Sequence, residues 1–386
     1  MSLHDLTCGF ISLTDAAPLI IAREMGFAEE EGIALSLQRE ASWSNIRDKL
    51  GLSIYPAAHM LTPLAIAMSL GTGPMAAQID VPYVLNLNGT TLTAATGLSA
   101  ALRADGARFG DAAGTAQALI RRSRVHPLRI GIPFAHSMHR VLVEYLLKEA
   151  EPQALRFTIA PPPLLPDVLA AGEIDMVMVG EPWGSFAVDR GEVEMLLAGA
   201  SIWSGAPEKA LGVRRDWHER NPEVLDALLR AVHRAGEWLA RPEAIDLTPG
   251  ILGQPHYLNC AEEPIERALT GRFLLDSGGR IGTAPHALRF AGPAVCFPWK
   301  SASGWIASRV SRTWGVRLGE ARRVAEESFR PDLYRRGLAE LAIPLPTASA
   351  KVEGRLTEPT PCASDRGELI LGPDSFFDGH IFDPNA

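Results

Sequence analysis

The sequence contains few of the features that would indicate a membrane, a metal or a catalytic reaction. Its 386 residues include only four cysteines, Cys8, Cys260, Cys296 and Cys362, and none of them forms a C-x-x-C pair with metal-ligand spacing. No stretch reaches the roughly 18 unbroken apolar residues that a membrane span needs. The G-x-S-x-G, H-E-x-x-H and catalytic Cys–His signatures are also absent. We therefore expect no membrane insertion, no metal, no cofactor and no enzymatic activity.

The charge balance excludes another class of partners. There are 37 Lys and Arg residues against 45 Asp and Glu residues, which gives a net charge of −8. A chain this acidic is not expected to bind nucleic acid or an anionic membrane directly. The 47% apolar and 21% charged fractions are globular proportions, and the length predicts about two or three domains.

The first residues bear on localisation. Residues 1–5 (MSLHD) have neither the basic nor the apolar part of a secretory signal, and the first strand-like segment follows at once. This predicts a cytoplasmic protein with reduced thiols, or a periplasmic one if a leader has been removed.

Alternating strand-like and helix-like segments predict an α/β fold with two lobes. We assign residues 5–94 and 202–340 to lobe I and residues 95–201 to lobe II. Residues 341–386 are predicted to form a Pro-rich tail on the surface. Two chain crossings would make a hinge, with a cleft between the lobes, and ligands of such sheets lie beyond the carboxyl ends of the strands.

Three segments after strands are candidates for binding an anion. Ser137 and His139 open a helix, whose N-terminus is a natural anion site. Asn88 and Gly89 interrupt an apolar run and could offer side-chain and backbone N–H donors. Lys209 could supply a fixed positive charge. Each has an ordinary alternative: an N-cap serine with a core histidine, a plain turn, and a solvated lysine.

Two tryptophans and one carboxylate complete the candidates. Trp183 follows a strand-like segment at residues 176–179, and Trp43 follows another at residues 33–38. Either ring could line a ligand pocket or belong to the core. Glu181 would repel an anion, so we expect it to orient other groups rather than touch ligand.

The order of these motifs resembles that of the nitrate/bicarbonate substrate-binding protein family of ABC transporters. The matching segments span nearly the whole chain: residues 13–19 (LTDAAPL), 58–63 (AHMLTP), 86–89 (NLNG), 137–139 (SMH), 179–183 (VGEPW), 207–212 (PEKALG) and 297–301 (FPWKS). The resemblance implies a type II periplasmic-binding-protein-like fold and reversible binding of a small anion.

The resemblance also implies site residues. The family's pocket lysine, histidine, amide and glycine match Lys209, His139, Asn88 and Gly89. The family's pocket tryptophan falls near residues 59–60, where this chain has none, so His59, Met60 or Thr62 is expected to line that wall.

The ligand is predicted from the donor set. Nitrate and nitrite only accept hydrogen bonds, whereas bicarbonate also donates one. The candidate groups are mainly donors, and Lys209 would balance the charge of a buried monoanion. We therefore expect nitrate or nitrite rather than bicarbonate.

Three biological roles are compatible with this reading. The chain is similar to the family's cytoplasmic nitrate/nitrite sensors (NasS-like), which implies an RNA-binding antiterminator (NasT-like) as partner. The first alternative is the extracytoplasmic binding component of a nitrate-type ABC transporter. The second is an enzyme of thiamine-precursor or menaquinone synthesis on the same fold. That enzyme would need a larger, more aromatic pocket, with His139 as its one convincing base.

Overall fold

The computed structural model describes residues 3–191, 193–292 and 294–385. In chain order the strands are β1 (His4–Ile11), β2 (Ile33–Glu40), β3 (Ala57–Leu61), β4 (Ile79–Asn88), β5 (Thr90–Ala95), β6 (Leu128–Ile132), β7 (Leu155–Ile159), β8 (Met176–Gly180), β9 (Val193–Ala198), β10 (Pro207–Arg214), β11 (Arg272–Leu274), β12 (Ile281–Thr283), β13 (Leu288–Arg289), β14 (Thr360–Cys362) and β15 (Leu369–Leu371).

The helices cover both sheets. In chain order they are α1 (Ala17–Glu24), α2 (Phe27–Glu30), α3 (Trp43–Gly51), α4 (Thr62–Leu70), α5 (Thr96–Ala104), α6 (Ala112–Ser123), α7 (Met138–Leu146), α8 (Leu165–Ala170), α9 (Trp183–Asp189), α10 (Arg215–His218), α11 (Pro222–Leu239), α12 (Pro242–Leu252), α13 (Glu262–Thr270), α14 (Lys300–Val310), α15 (Leu318–Ser328) and α16 (Pro331–Leu338). Short 3₁₀ turns link several of them, including Thr14–Ala16 directly after β1.

Two sheets define two lobes, as the alternating pattern predicts. The lobe I sheet has the strand order β13-β4-β10-β3-β1-β2, and the lobe II sheet has the order β7-β6-β8-β5-β9. In lobe I, β1 runs parallel to β2 and β3, whereas β10 returns antiparallel between β3 and β4. Helices cover both faces of these sheets, which explains why β1 is apolar along most of its length.

The first crossing between the lobes lies at Gly89. The apolar run at residues 83–92, which residues 88 and 89 interrupt, is split between β4 of lobe I and β5 of lobe II. Asn88 and Gly89 turn the chain with φ values of 63° and 96°, a region that glycine and asparagine tolerate best. The sheets therefore divide at residue 89, five residues before the boundary that we drew at residue 94.

Asn88 also ties the two crossings together. Its side-chain Nδ2 donates to Ser204 O at 2.9 Å and to His286 O at 3.0 Å. Ser204 belongs to the second crossing, residues 199–206, which returns the chain to β10 in lobe I. Two neighbouring chain segments joined in this way form a compact hinge.

The C-terminal segment packs against both lobes. Phe376 stacks on Trp203 of the second crossing, with ring centroids 4.9 Å apart. Two residues further on, Asp378 accepts a hydrogen bond of 2.8 Å from Tyr145 Oη of α7 in lobe II. The tail predicted at residues 341–386 thus includes aromatic anchors and a hairpin, β14–β15.

Among the described residues, no helix combines the length and apolarity required to cross a bilayer.

Candidate functional site

The candidate site lies where the two lobes meet. Lobe I contributes the turn after β1, the end of β3, the start of β10 and the first residue of α3. Lobe II contributes the N-terminus of α7. All five central side chains, those of Asp15, His59, His139, Glu208 and Lys209, are 0–1% exposed.

Lys209 is the central cation. Its Nζ lies 2.8 Å from Asp15 Oδ2 and 3.0 Å from Glu208 Oε1. The same atom lies 5.8 Å from the ring centroid of Trp43, within cation–π distance. An ammonium group has three N–H bonds. One N–H bond therefore remains after one is assigned to each of the two carboxyl groups, those of Asp15 and Glu208.

An irregular strand explains how Glu208 and Lys209 reach the same point. Successive side chains of a regular strand point to opposite faces. The pairing of β10 with β4 shifts register on both sides of Lys209, and such irregularities re-aim side chains. Thr62 secures this segment, because its Oγ1 lies 2.6 Å from Pro207 O and 2.7 Å from Glu208 O.

His59 is committed to the protein. Its Nδ1 accepts from Ile11 N at 3.5 Å, so Nε2 carries the proton and donates to Asp15 Oδ1 at 2.8 Å. Burial lowers the pKa of His59, although its bond to Asp15 opposes this. His59 is therefore a neutral side chain that orients Asp15, with both ring nitrogens engaged by the protein.

His139 faces this cluster from the other lobe. It is the second residue of α7, and its Nδ1 lies 3.3 Å from Glu208 Oε1 without hydrogen-bond geometry. Burial and the nearby Lys209 hold the pKa of His139 well below its usual value. Glu208 Oε1 is thus close to both Lys209 and His139, which approach it from opposite lobes.

Several buried polar atoms around Lys209 have no hydrogen-bond partner among the residues that the structure describes. They include both ring nitrogens of His139, Trp43 Nε1, Glu208 Oε2 and Asp15 Oδ2, the last of which forms an ion pair with Lys209 but no hydrogen bond. Buried polar groups are nearly always paired, so this concentration of unpaired donors and acceptors indicates a site for a small polar ligand.

The charges of the cluster are unequal. Burial opposes ionisation of Asp15, but Lys209 and His59 keep its pKa below the ordinary value. Burial raises the pKa of Glu208 to about 7, against the lowering effect of Lys209. Burial would lower the pKa of Lys209, but Asp15 and Glu208 raise it. One ammonium therefore faces one permanent carboxylate and a second carboxyl that titrates near neutrality.

The aromatic contact comes from Trp43. Its ring lies 5.5 Å from the His59 ring, and Ser42 caps its helix by accepting from Asn45 N at 3.3 Å. Trp43 therefore places a tryptophan ring beside residue 59, where the sequence itself has none.

Three other predicted contacts are used elsewhere. The Gly89 N–H donates to Ala287 O at 2.6 Å, and the Asn88 amide holds the hinge, so neither presents its donor to the cleft. Met60 points to the opposite sheet face from His59, since neighbouring strand residues alternate. None of the three residues presents a free donor to the cluster in this structure, and their contact with ligand stays a prediction.

Ser137, Trp183 and Glu181 support the site indirectly. Ser137 caps α7, with its Oγ accepting from Arg140 N at 3.2 Å, as its ordinary alternative predicts. Trp183 Nε1 donates to Ser12 O at 2.7 Å and links the lobes. The Glu181 carboxylate accepts from Thr91 Oγ1 at 2.5 Å and so orders lobe II.

Sequence reasoning missed Asp15 and Glu208. Asp15 has the sequence context of a helix-capping residue. Glu208 lies beside Lys209, which is the stronger candidate for binding an anion. A signal was present for Asp15, since it follows β1 at the sheet edge where ligands bind. Glu208 could not be recognised, because a regular strand would point it away from Lys209.

The cluster contains acids and histidines, which are the residue types that bind metal ions most often. Within residues 3–191, 193–292 and 294–385, no group of three or more His, Cys, Asp or Glu side chains is arranged to hold a metal ion.

A buried and partly unpaired polar cluster, shared between two hinged lobes, defines a ligand-binding protein of the two-lobed type. The chain belongs to the NMT1-like family, whose model matches residues 2–253.

Relatives of known name agree with this assignment. The nitrate/nitrite binding protein NrtA of Synechococcus elongatus is 28% identical over 389 residues, covering 98% of this chain and 83% of that protein. The crystal structure of the periplasmic nitrate-binding protein NrtA from Synechocystis PCC 6803 superposes with a TM-score of 0.85 at 25% identity, covering 99% and 96% of the two chains. These matches confirm the predicted family resemblance and the periplasmic-binding-protein-like fold.

A third relative differs in ligand. The bicarbonate transport ATP-binding protein CmpC of Synechococcus elongatus is 30% identical over 316 residues. The match covers 81% of this chain but 45% of that protein, so it concerns only part of CmpC.

Proposed function

We propose that the chain binds nitrate or nitrite reversibly at the lobe contact and performs no chemistry on it. One observation carries the proposal: Lys209 of lobe I and His139 of lobe II converge in a buried cluster, in a chain that resembles NrtA over almost its full length. Both groups can donate hydrogen bonds to an anion, and both would lose their common ligand when the lobes separate.

The available donors supply part of the free energy of a useful affinity. A micromolar dissociation constant corresponds to about −8 kcal/mol. The third N–H of Lys209 supplies a charge-assisted bond, and His139 and Trp43 Nε1 supply neutral ones. Such bonds contribute roughly 0.5–3 kcal/mol each, and closure of the lobes excludes water from all of them.

Titration calorimetry with nitrate, nitrite and bicarbonate tests the proposal. Nitrate or nitrite should bind, and Lys209→Met should weaken the binding by at least about 30-fold. Lys351→Met is the matched control, because Lys351 is a partly buried lysine in an ion-pair cluster of the same composition, with Glu353 and Asp374, but outside the site. Bicarbonate binding with nitrate and nitrite inert would refute the proposal.

Bicarbonate is the second candidate because of Glu208. An ionised Glu208 accepts hydrogen bonds, and bicarbonate offers an O–H that nitrate lacks. The similarity to CmpC, which is named for bicarbonate transport, points the same way. In that case bicarbonate would bind more tightly as pH rises and Glu208 ionises.

An enzyme of thiamine-precursor or menaquinone synthesis is disfavoured by the geometry. Polar side chains of the two lobes approach within 3.3 Å at His139 and Glu208, which suits a ligand of a few atoms better than a multi-ring substrate. His139 is the candidate base of such an enzyme. Conversion of thiamine or menaquinone precursors by the purified protein is the activity to assay.

For the biological role we propose a cytoplasmic sensor that controls an RNA-binding antiterminator. Anion would favour the closed lobes and displace surfaces that the antiterminator contacts. The net charge of −8 favours a separate RNA-binding protein over direct RNA contact. The alternative is delivery of nitrate to an ABC transporter, as the periplasmic NrtA relatives suggest.

A sizing column separates these roles. The sensor role requires a complex with a purified NasT-like antiterminator that nitrate or nitrite dissociates. A complex that ignores the anion, or no complex at all, contradicts the sensor role. Nitrate-dependent stimulation of a permease–ATPase complex would support the transport role instead.

A further inference from the structure

The charge of the cluster does not match a bound monoanion. Within 3.0 Å of Lys209 Nζ lie oxygens of two carboxyl groups, those of Asp15 and Glu208. With Glu208 ionised, the cluster has a net charge of −1 before any anion enters. Adding nitrate would bury a second uncompensated negative charge, which is strongly unfavourable.

Glu208 is the residue whose negative charge would repel a bound anion most directly. Its Oε1 is 3.0 Å from Lys209 Nζ and 3.3 Å from His139 Nδ1, so an anion between those two donors lies beside this carboxyl. Its Oε2 is buried and has no partner among the described residues. A proton on Oε2 would remove the repulsion and create a further donor toward the anion.

We propose, building on the proposed nitrate or nitrite function, that the site takes up one proton with each acceptor-only anion and that Glu208 Oε2 holds it. The proton comes from solvent: a carboxylate and a hydronium become a carboxylic acid and water, and no other bond changes. Glu208 then donates to the anion, and the loaded cluster has a charge of −1 rather than −2.

The other titratable groups facing Glu208 are less suited to hold this proton. Asp15 pairs with Lys209 and with His59, which keep its pKa low. His59 has both ring nitrogens engaged. His139 is held neutral by burial and by Lys209. Burial raises the pKa of Glu208 to about 7, so this carboxyl gains a proton at the smallest cost near neutrality.

The inference predicts how affinity depends on pH. Above the pKa of the free Glu208, the Kd for nitrate should rise about tenfold per pH unit, and below it the Kd should become constant. At pH 8.5 each nitrate should bring about one proton, and at pH 6 about 0.1 proton. Bicarbonate, which carries its own O–H, should bind without proton uptake.

The experiment measures the proton directly. Nitrate is titrated calorimetrically at pH 8.5 in phosphate and in Tris, whose ionisation enthalpies differ, and the difference gives the number of protons bound. In parallel, an infrared difference spectrum with and without nitrate should show a new C=O stretch of a protonated carboxyl. That band distinguishes Glu208 from His139 as the acceptor.

Two variants locate the proton. Glu208→Gln is a neutral mimic of the protonated acid, so its nitrate affinity should be independent of pH and its proton uptake should be zero. Glu181→Gln is the matched control: burial raises the pKa of Glu181 to about 7 as well, but its carboxylate bonds to Thr91 and Ser185 within lobe II. Its proton uptake should remain near one.

The outcomes separate this inference from the proposed function. Nitrate binding without proton uptake, or uptake that persists in Glu208→Gln, overturns the proton linkage and leaves nitrate binding intact. Failure of wild-type protein to bind either nitrate or nitrite overturns both.

Discussion

Two buried ionic clusters of lobe I have opposite charge balance. At Asp80, which is 0% exposed, one carboxylate meets three basic side chains: Arg215 Nη2 at 2.6 Å, His218 Nε2 at 2.7 Å and Arg330 Nη1 at 3.0 Å. At Lys209, one ammonium meets two carboxyl groups. The first cluster has basic groups in excess, and the second has acids in excess.

This difference separates structural from functional charge. Burial opposes ionisation of Asp80, but His218 and Arg215 keep its pKa below the ordinary value, and its oxygens are fully paired. The Lys209 cluster retains unpaired atoms and a carboxyl that titrates near pH 7. A fully paired cluster such as that of Asp80 stabilises the fold. A cluster with unpaired atoms, such as that of Lys209, can change its charge when a ligand binds.

Removing Asp80 should cause the largest loss of stability. Asp80→Ala leaves two arginines and a histidine without their shared partner, and breaking a buried ion pair costs about 3–5 kcal/mol. The free energy of unfolding, measured with urea, should fall by that amount. The nitrate Kd of the protein that remains folded should stay unchanged. A large change in Kd would mean that the Asp80 cluster also serves the site.

Removing Lys209 should affect binding more than stability. Lys209→Met deprives the anion of the ammonium group in the cluster, so binding should weaken by at least about 2 kcal/mol, or 30-fold. The loss of stability should be smaller than for Asp80→Ala, since Glu208 can become protonated and Asp15 retains His59. Calorimetry and urea unfolding of the two variants side by side test this; equal losses of stability would contradict the distinction.

The pH dependence of stability should expose the titrating carboxyl. The pKa of Glu208 is about 7 in the folded protein, against 4.5 ordinarily. Between these values the folded state binds more protons, so this group's stabilising contribution falls as pH rises, by at most about 1.4 kcal/mol per pH unit. Urea unfolding of ligand-free wild type and Glu208→Gln from pH 5 to 7 should reveal this contribution as a difference in slope.

Glu181→Gln sharpens the same measurement. Because burial raises the pKa of Glu181 to about 7 as well, its replacement should change the stability slope in the same direction. Identical slopes for the wild type and Glu208→Gln would show that Glu208 does not titrate in this range.

The smallest effect on affinity is expected at the hinge. Asn88→Ala removes donors to Ser204 O and His286 O, which should cost about 1–2 kcal/mol of stability. Nitrate affinity should change less than about threefold, since the amide is committed to the hinge. A 30-fold loss of affinity at unchanged stability would restore Asn88 as a ligand contact.

The fold was predictable from the sequence because its signals are local and repeated. The helix at residues 222–239 shows apolar residues at helical spacing, and it is α11 with the same bounds. The boundary predicted at residue 94 lies five residues after the point where the sheets divide, because β4 and β5 have similar apolar composition. The sequence indicates a turn at Asn88 and Gly89, but only the backbone conformation there shows that the turn separates two sheets.

The candidate site was predictable only in part. Lys209, His139 and Trp43 come together, since strand ends and helix starts gather at one sheet edge. The role of Glu208 depends on a register shift in β10, and that of Trp43 on the packing of α3 against His59. Both are tertiary effects that local sequence does not encode.

The C-terminal segment fixes one end of α7 and leaves the other end, which holds His139, able to move. Tyr145, near the end of this helix, is held by Asp378, while His139 sits near its start, six residues away and therefore about 9 Å along the axis. A tilt of about 10° around the Tyr145 end would displace His139 by about 1.6 Å, more than a hydrogen bond tolerates. The hydrogen bond between Asp378 and Tyr145 would thus limit how far His139 moves when α7 tilts. The strength of that bond would govern how quickly the anion dissociates.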